Sequence, residues 1–543
     1  MNDFTVNVAY ELSSEDKEFS SAHLSDGIIM LSPAQESTKN SRSLSVPLGL
    51  EALDPAFQLS EYLRSRRIES SPAANDDLVD TKRFRSPFTW STSHKIIVLS
   101  GAFMASTLAA YSAGAYALAS EPLRHQWKIS DMKFNAGITI FVAGFGFTPM
   151  ILAPVSEVYG RYWVFLGSGV VFFLGTLGCA ITKSYAGMMV ARLITGCGAA
   201  VFATLTGGVV SDLYRKDNRN TPMALYSLSI MAGTGLGPLV SGIVVDRLGA
   251  RWIFYLQLIA IGVTVVVLLL LFGETSSPCC LRRLCHALNK KQLRTLSGER
   301  LYFFPSTTKT LKLEVAIIWR SFAFPLKLLA TEPVVFWISV WVSFAWAILY
   351  MQFNSIGIVL RSVYHFNSTQ VGAVYTTVIV GSVLSAILAI LEGPIRRRLF
   401  PNRSSADTPE QRLLSPCIQS ILLPIGLFWF MLSAKADIPW ISPVLAIGSC
   451  TMGIFSIYLA VFNYLADTYH QYASSALAAQ SMCRNLLAGI FPLVTSSMIK
   501  NLTLAGTGGL LGGLGLLLAI IPWLLFFFGR KIRANSPFAK ELD

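Results

Sequence analysis

Twelve runs of apolar residues, each about 20 residues long, constrain this chain more than any other feature of its sequence. A helix rises 1.5 Å per residue, so about 20 residues cross a hydrocarbon core of roughly 30 Å. Only 14% of the residues are charged, whereas a soluble chain carries about 25%. The sequence therefore predicts an all-α membrane protein with twelve transmembrane helices and excludes a soluble fold.

The runs form two sets of six around a long polar connection. The first set is expected near 95–119, 134–155, 162–182, 187–209, 221–245 and 252–272, and the second near 333–358, 370–391, 413–433, 438–463, 474–499 and 506–529. Six plus six is typical of transporters that consist of two pseudo-symmetric halves. We expect an N-terminal half at 91–272, a central cytoplasmic loop at 273–332, a C-terminal half at 333–529 and a cytoplasmic tail at 530–543.

Residues 1–90 are rich in Ser, Asp, Glu and Arg and contain no apolar run. This composition predicts a mostly disordered cytoplasmic tail, in which residues 51–70 have the pattern of a short amphipathic helix. No basic segment followed by an apolar core opens the chain, so no cleaved signal peptide is expected.

The positive charge of the chain lies mainly in loops on one side of the expected membrane. These basic residues follow the fourth, eighth and twelfth runs and occupy the central loop: Arg215, Lys216, Arg219, Arg282, Arg283, Lys290, Lys291, Arg294, Arg396, Arg397, Arg398, Arg403, Arg412, Arg530, Lys531 and Arg533. Cytoplasmic retention of Lys and Arg places that side, and both termini, in the cytoplasm. It also explains the net charge of +13 without nucleic acid. Asn367 and Asn501, on the opposite side, are candidate glycosylation sites.

No motif for enzyme chemistry is present. The eight cysteines are mostly single and the six histidines are scattered, so no metal spacing is formed. No Ser, His and Asp constellation and no phosphate-binding loop occurs. We expect neither enzyme activity nor a metal or cofactor, and transport must then draw its energy from a gradient.

The turn between the second and third runs reads PVSEVYGR at 154–161. Gly160 permits the tight backbone that a helix reversal at the membrane face requires. Glu157 and Arg161 flank the turn, where their pairing in one conformation would bias an equilibrium between inward-open and outward-open states. An ordinary surface ion pair, worth less than about 1 kcal/mol, is the alternative.

Several stretches resemble signatures of the major facilitator superfamily, in the form of its fungal twelve-span drug:proton antiporters. They are PVSEVYGR at 154–161, MVARLITGCGAA at 189–200, GTGLGPLVSG at 233–242, RWIFYLQLI at 251–259 and the region from NYLADTYHQY to LLAGIFPL at 463–493. The resemblance covers the chain from Lys95 to the C-terminus. It implies a proton-coupled exporter of drugs or metabolites and does not identify a substrate.

Arg192 is the most informative residue of the first half. An arginine inside a membrane helix is costly in lipid and must face protein or water, which makes it a functional candidate. A purely structural arginine bound to backbone carbonyls is the alternative reading. By resemblance, Arg192 would serve in proton coupling or in organising the cavity. The first run contains no Asp or Glu, so no proton carrier is identified.

The fifth run contains Gly233, Gly237 and Pro238. Absent side chains allow a neighbouring helix to approach, and a proline removes a backbone donor and allows bending. Both conformational bending and simple close packing fit this pattern.

In the eleventh run Gln480 and Arg484 are spaced one helical turn apart, with Asn485 adjacent. A buried arginine beside amides would suit an anion or a polar head group. Four residues of other runs could line the same cavity: Tyr111, Tyr350, Asn354 and Asn463. Each could equally form an interhelical hydrogen bond.

The resulting prediction is a monomeric secondary antiporter that exports a small amphiphilic drug or secondary metabolite by rocker-switch alternation. Its partners would be the substrate, protons and the lipid bilayer. The plasma membrane is the expected location, with the vacuolar membrane left open. Export of a small organic acid such as an itaconate-like dicarboxylate is the alternative, because two buried arginines without acidic partners suit an anion. A non-transporting receptor or scaffold is a minor alternative.

Overall fold

The computed structural model describes residues 23–25, 28–30, 87–215, 218–277, 279–280, 283, 322–399, 413–469 and 473–534. The chain divides into two compact units, Met1–Thr89 with Ser277–Val315, and Trp90–Ser276 with Ala316–Asp543. In the first unit, strands β1 (His23–Ser25) and β2 (Ile28–Met30) pair antiparallel. Most of the expected N-terminal tail and central loop, including 51–70, lies outside the described residues, and their predicted character stays a prediction.

The second unit contains the membrane helices. The first six spans are Thr92–Ala115, which continues as a 3-10 turn at Tyr116–Ala119, Asp131–Tyr159, Arg161–Ile181, Tyr185–Leu213, Asn220–Leu248 and Trp252–Leu271. A short helix, Ser120–Trp127, follows the first span. Serines accept backbone hydrogen bonds at the start of three of these helices: Ser91, Ser130 and Ser184. Such caps satisfy backbone donors that have no partner within the helix.

The second six spans follow a short apolar helix, Phe322–Thr331. The seventh is Pro333–Tyr364, the eighth Ser368–Val374 with Thr376–Leu399, the ninth Leu414–Gln419 with Leu422–Ser433, and the tenth Ile441–Tyr469. The eleventh and twelfth are joined in Ala473–Leu518, which breaks at Thr503 (φ 63°, ψ 170°), and the twelfth continues as Ile520–Ala534. Because this break leaves no loop, length and composition alone give eleven candidate spans, the last with 60 residues.

The order of the spans defines two ends of the helix bundle. Gly160 lies at one end, where both termini are expected, and Asn367 lies at the other; we call these the Gly160 end and the Asn367 end. The fourth, seventh and tenth spans are the most buried, whereas the sixth is largely exposed on its surface. The interior of the bundle is therefore formed mainly by spans that carry Arg192, Tyr350 and Asn463.

The two halves contact each other along two pairs of helices. The second span packs against the eleventh, where the Asn135 amide donates to the carbonyl of Pro492 at 2.9 Å and the Thr139 hydroxyl donates to that of Gly489 at 2.7 Å. The fifth span packs against the eighth, where Asn220 donates to the carbonyl of Ala389 at 3.0 Å. The second, fifth, eighth and eleventh spans therefore form the contact between the halves.

Candidate functional site

Arg192 is 1% exposed and lies among helices of the N-terminal half. Its Nε donates to the carbonyl oxygen of Gly137 at 3.3 Å, and its Nη1 donates to that of Ser112 at 3.2 Å. The guanidinium carbon is 4.4 Å from the ring centres of both Tyr116 and Phe141. Arg192 thereby joins the fourth span to the first and second spans. Within the described part of the chain, its Nη2 has no hydrogen-bond partner.

Arg484 is equally buried, at 1% exposure, but its surroundings differ. Its guanidinium carbon lies 4.4 Å from the ring centre of Trp346 and 5.1 Å from that of Tyr458. Nη2 donates to the hydroxyl of Ser481 at 3.3 Å, whereas Nε and Nη1 have no hydrogen-bond partner among the described residues. None of the described carboxylates forms an ion pair with Arg484 or Arg192.

Aromatic side chains of both halves surround Arg484. The rings of Trp346 and Tyr458 stack at 4.8 Å between centres, and the hydroxyls of Tyr458 and Tyr226 are 3.3 Å apart. Tyr226 belongs to the fifth span, so the N-terminal half contributes to this layer. Tyr350, one helical turn from Trp346, interacts electrostatically with both Arg192 and Arg484. We call Trp346, Tyr350, Tyr458, Gln480 and Arg484 the central cluster.

Gln480 belongs to the central cluster because it lies one turn before Arg484 on the same helix face. It is fully buried, and neither its Nε2 nor its Oε1 has a hydrogen-bond partner. Asn485, in contrast, donates from Nδ2 to the carbonyl of Phe145 at 3.4 Å and to the hydroxyl of Ser481 at 3.3 Å. Asn485 therefore connects the two halves.

A cavity role for Tyr111, Asn354 and Asn463 stays a prediction. The carbonyl of Tyr111 would lie 2.5 Å from a Cβ added at Gly237, so Tyr111 lies against the fifth span. Asn354 donates to the carbonyl of Pro492 at 3.3 Å, and Asn463 is half-buried in the tenth span. Trp346, Tyr458 and Tyr226 were not among the sequence candidates, because aromatic residues are too common in membrane helices to be distinguished by sequence.

Arg161 lies in a polar cluster at the Gly160 end. Its Nε donates to Asp212 Oδ2 at 2.7 Å and its Nη1 to the Ser156 hydroxyl at 3.2 Å. Its backbone N–H donates to Glu274 Oε1 at 2.8 Å. We call Ser156, Arg161, Asp212 and Glu274 the Arg161 cluster.

Ser156, Arg161 and Asp212 lie in the N-terminal half, and Glu274 lies just after it, at the start of the expected central loop. The side chain of Glu157, the expected partner of Arg161, lies outside the described part of the structure. Gly160 has φ 101°, a value in the region that side chains rarely adopt, which explains a glycine at this turn. Sequence reasoning could not assign Asp212 to Arg161, because 51 residues separate the two.

Gly233 and Gly237 of the fifth span both lie against the first span. An added Cβ at Gly233 would overlap the carbonyl oxygen of Thr107 in the first span, and one at Gly237 would meet that of Tyr111. Pro238 lies within the continuous helix Asn220–Leu248. The first and fifth spans are therefore closely packed at these glycines. Bending at Gly233, Gly237 and Pro238 stays a prediction.

Hydrogen bonds and an ion pair connect the halves at the Asn367 end. Asp246 Oδ2 accepts from the backbone N–H of Thr369 at 2.7 Å and from its hydroxyl at 2.6 Å. Arg361 Nη1 lies 3.0 Å from Glu121 Oε2. We call Glu121, Asp246, Arg361 and Thr369 the outer contacts; none was singled out by sequence as a gate.

The two glycosylation candidates have different surroundings. Asn367 caps the helix Ser368–Val374, with its Oδ1 accepting from the Gln370 N–H at 2.8 Å. Asn501 is exposed, two residues before the break at Thr503. Modification of either residue stays a prediction.

Comparison with known proteins gives one consistent set of relatives. A family profile described as Major Facilitator Superfamily matches residues 102–492. MFS transporter prlG of a fungal species is 31% identical over 86% of this chain and 98% of its own length. Probable drug/proton antiporter YHK8 of Saccharomyces cerevisiae is 27% identical over 90% of this chain and 94% of its own. Efflux pump atB of Aspergillus terreus is 33% identical over 73% of this chain and 83% of its own.

Among solved structures, the proton:xylose symporter XylE has a similar fold. The superposition has a TM-score of 0.58 and covers 80% of this chain and 97% of that chain, at 15% sequence identity. At that identity the similarity concerns the fold alone, and it agrees with the twelve-span arrangement expected from the sequence.

Proposed function

The chain belongs to the major facilitator superfamily and is a secondary transporter of small molecules, and we propose that it exports an amphiphilic organic compound in exchange for protons. Relatives named efflux pumps and a drug/proton antiporter support both the direction and the coupling. We further propose that a monomer in the plasma membrane, with both termini in the cytoplasm, performs this export.

One observation carries the proposal: a buried, incompletely hydrogen-bonded arginine lies among aromatic rings of both halves. Trp346 and Tyr458 offer flat apolar surfaces to Arg484, and Tyr226 brings in the other half. Sites for small molecules typically combine such apolar walls with a few polar groups that fix orientation. An amphiphilic compound would contact the rings with its apolar part and the arginine with its polar part.

Alternating access would use the contacts at the two ends of the bundle. The outer contacts join the halves through Asp246 and Thr369 and through Glu121 and Arg361, so they must break when the central cluster opens toward the Asn367 end. The Arg161 cluster ties the third span to the fourth at the opposite end. Its rearrangement would accompany opening there, because a pairing present in only one conformation biases the equilibrium.

The test uses purified full-length protein in lipid vesicles with an imposed pH gradient. The probe is a radiolabelled neutral azole compound, and an internal pH dye reports proton movement. We expect gradient-driven azole accumulation and probe-dependent proton flux. Accumulation without proton flux would overturn the coupling, and absence of both would overturn drug export as the function.

The variant Arg161→Ala tests the role of the Arg161 cluster. Loss of the 2.7 Å pairing with Asp212 should slow transport by about tenfold, since a buried charged hydrogen bond contributes about 1.5–3 kcal/mol. Arg247→Ala is the control, because Arg247 is an exposed arginine near a helix end. Equal rates for Arg161→Ala and wild type would remove Arg161 from the gate.

A further inference from the structure

The eleventh span places two incompletely satisfied polar side chains one turn apart in the interior. Four buried atoms lack hydrogen-bond partners there: Nε and Nη1 of Arg484, and Nε2 and Oε1 of Gln480. Nε and Nη1 carry three of the five N–H donors of a guanidinium. Buried polar groups are normally hydrogen-bonded, because leaving them unpaired forfeits the hydrogen bonds that water would provide.

The described protein does not supply the missing partners. Trp346 and Tyr458 stabilise the charge of Arg484 through their ring faces, but a ring face does not replace the in-plane hydrogen bonds of the guanidinium. Arg192 also acts electrostatically on this region, since Tyr350 interacts with both arginines. Two cations without a carboxylate partner favour an incoming anion.

The unpaired atoms define the chemistry of that anion. A carboxylate is planar and accepts two parallel hydrogen bonds from one edge of a guanidinium, and each edge joins an N–H of Nη2 to an N–H of Nε or of Nη1. Nη2 of Arg484 gives one of its two N–H groups to Ser481, so one complete edge remains for a carboxylate. The Gln480 amide adds a donor at Nε2 and an acceptor at Oε1, which suit a carbonyl or hydroxyl group next to the carboxylate. The rings of Trp346 and Tyr458 suit an apolar body.

We propose that the transported compounds are small carboxylic acids, bound through the carboxylate to Arg484 and through a neighbouring polar group to Gln480. This proposal rests on the proposed transport function and narrows its substrate class. Arg484 provides affinity for the charge, and Gln480 is the specificity-determining residue.

Gln480→Glu is the sharpest variant for this proposal. It would place a carboxylate one turn before Arg484, a spacing at which oppositely charged side chains pair on a helix. The internal carboxylate would then occupy the guanidinium edge that the substrate needs. We expect this variant to fold with unchanged or higher thermal stability and to lose binding of acids.

The experiment measures binding to purified full-length protein by ligand-induced shift of the unfolding temperature. The probes are phenylpropionate, 2-hydroxy-3-phenylpropionate and their primary amides, with phenylethanesulfonate as an anion of different geometry. Wild type should bind each acid about ten- to hundredfold more tightly than its amide, as expected for charged hydrogen bonds. The hydroxy acid should bind more tightly than the plain acid.

Four variants are compared with wild type. Arg484→Met and Gln480→Glu should lose the preference for acids over amides, Gln480→Leu should lose only the preference for the hydroxy acid, and Arg247→Met should keep both. An acid preference that persists in Arg484→Met, a wild type that treats acids and amides alike, or a sulfonate that binds better than the acids would each overturn the proposal. Azole transport is measured separately, in the lipid vesicles of the transport test. If wild type transports the azole but shows no preference for acids, the export function stands and the proposed substrate class is wrong.

Discussion

Arg192 and Arg484 are both 1% exposed, yet their N–H groups are satisfied to different degrees. Arg192 donates to the backbone carbonyls of Gly137 and Ser112 on two other helices. Arg484 makes one hydrogen bond, to Ser481 on its own helix. Both lie against pairs of aromatic rings, so the difference between them is one of hydrogen bonding and not of burial.

This difference separates two uses of a charge inside a membrane protein. A guanidinium whose donors are used by neighbouring helices holds those helices together. A guanidinium whose donors remain unpaired is available to a ligand that completes its hydrogen bonds. The alternative reading of Arg192 as a structural arginine therefore fits its contacts well, while Arg484 fits a substrate anchor.

The largest expected difference in stability is between the two variants in which each arginine is replaced by methionine. Arg192→Met loses two charged hydrogen bonds and should reduce the free energy of unfolding by about 3–6 kcal/mol. Arg484→Met removes an incompletely paired buried charge and should leave stability unchanged or raise it by about 1 kcal/mol. Thermal unfolding of the two purified variants in detergent checks this order. Greater destabilisation in Arg484→Met than in Arg192→Met would reverse the comparison.

A smaller difference in stability is expected when one methyl group is added at a glycine in the same span as each arginine. At Gly196, one turn after Arg192, an added Cβ would overlap the carbonyl oxygen of Phe141. At Gly489, in the eleventh span, the nearest atom would be 3.6 Å away, at Thr139. Gly196→Ala should therefore cost about 1–3 kcal/mol, whereas Gly489→Ala should be neutral or stabilise by up to about 1 kcal/mol.

The same unfolding measurement compares these two alanine variants. If Gly196→Ala is as stable as wild type, the second and fourth spans can separate, and Arg192 is not in a closed site. A strongly destabilising Gly489→Ala would indicate that the eleventh span is packed as tightly as the fourth.

The smallest expected effect concerns the outer contacts. Thr369→Val removes the 2.6 Å hydroxyl hydrogen bond to Asp246 and keeps the backbone one. Losing a net contribution of about 1 kcal/mol should raise the population open toward the Asn367 end about fivefold. Gln480→Cys and Thr195→Cys, the latter in the fourth span with Arg192, are each made in a protein without other cysteines. Adding Thr369→Val should accelerate external thiol labelling at Gln480→Cys, and labelling at Thr195→Cys should stay slow. Equal acceleration at both positions would show that the Arg192 region opens too.

Hydropathy and charge were enough to predict the spans, because membrane thickness fixes helix length independently of tertiary contacts. The eleventh and twelfth spans show the limit: the division near Thr503 was correctly expected, but the absence of a loop there depends on one residue with positive φ. The burial of Arg192 and Arg484 also followed from position within an apolar run.

Partners of these residues could not be predicted in the same way. The carbonyl oxygens that bind Arg192 belong to residues 55 and 80 positions away, and backbone atoms carry no sequence signal. Glu157 was paired with Arg161 because the two are neighbours in sequence, whereas Asp212 and Glu274 reach Arg161 only through helix packing. The four residues of the outer contacts are ordinary loop and helix-end residues until the halves meet.

The most direct test of the comparison is transport by wild type, Arg484→Lys and Arg484→Gln, normalised to protein at the cell surface. Lysine keeps the charge and loses the planar two-donor geometry, and glutamine loses both. Export of a dicarboxylate such as itaconate is measured from its accumulation in the cells. It should be slower in Arg484→Lys than in wild type and slower still in Arg484→Gln. Export of a neutral azole compound should change less across the three forms. An equal loss of export of both compounds would contradict the role of Arg484 as a substrate anchor, because Arg484 would then hold helices together as Arg192 does.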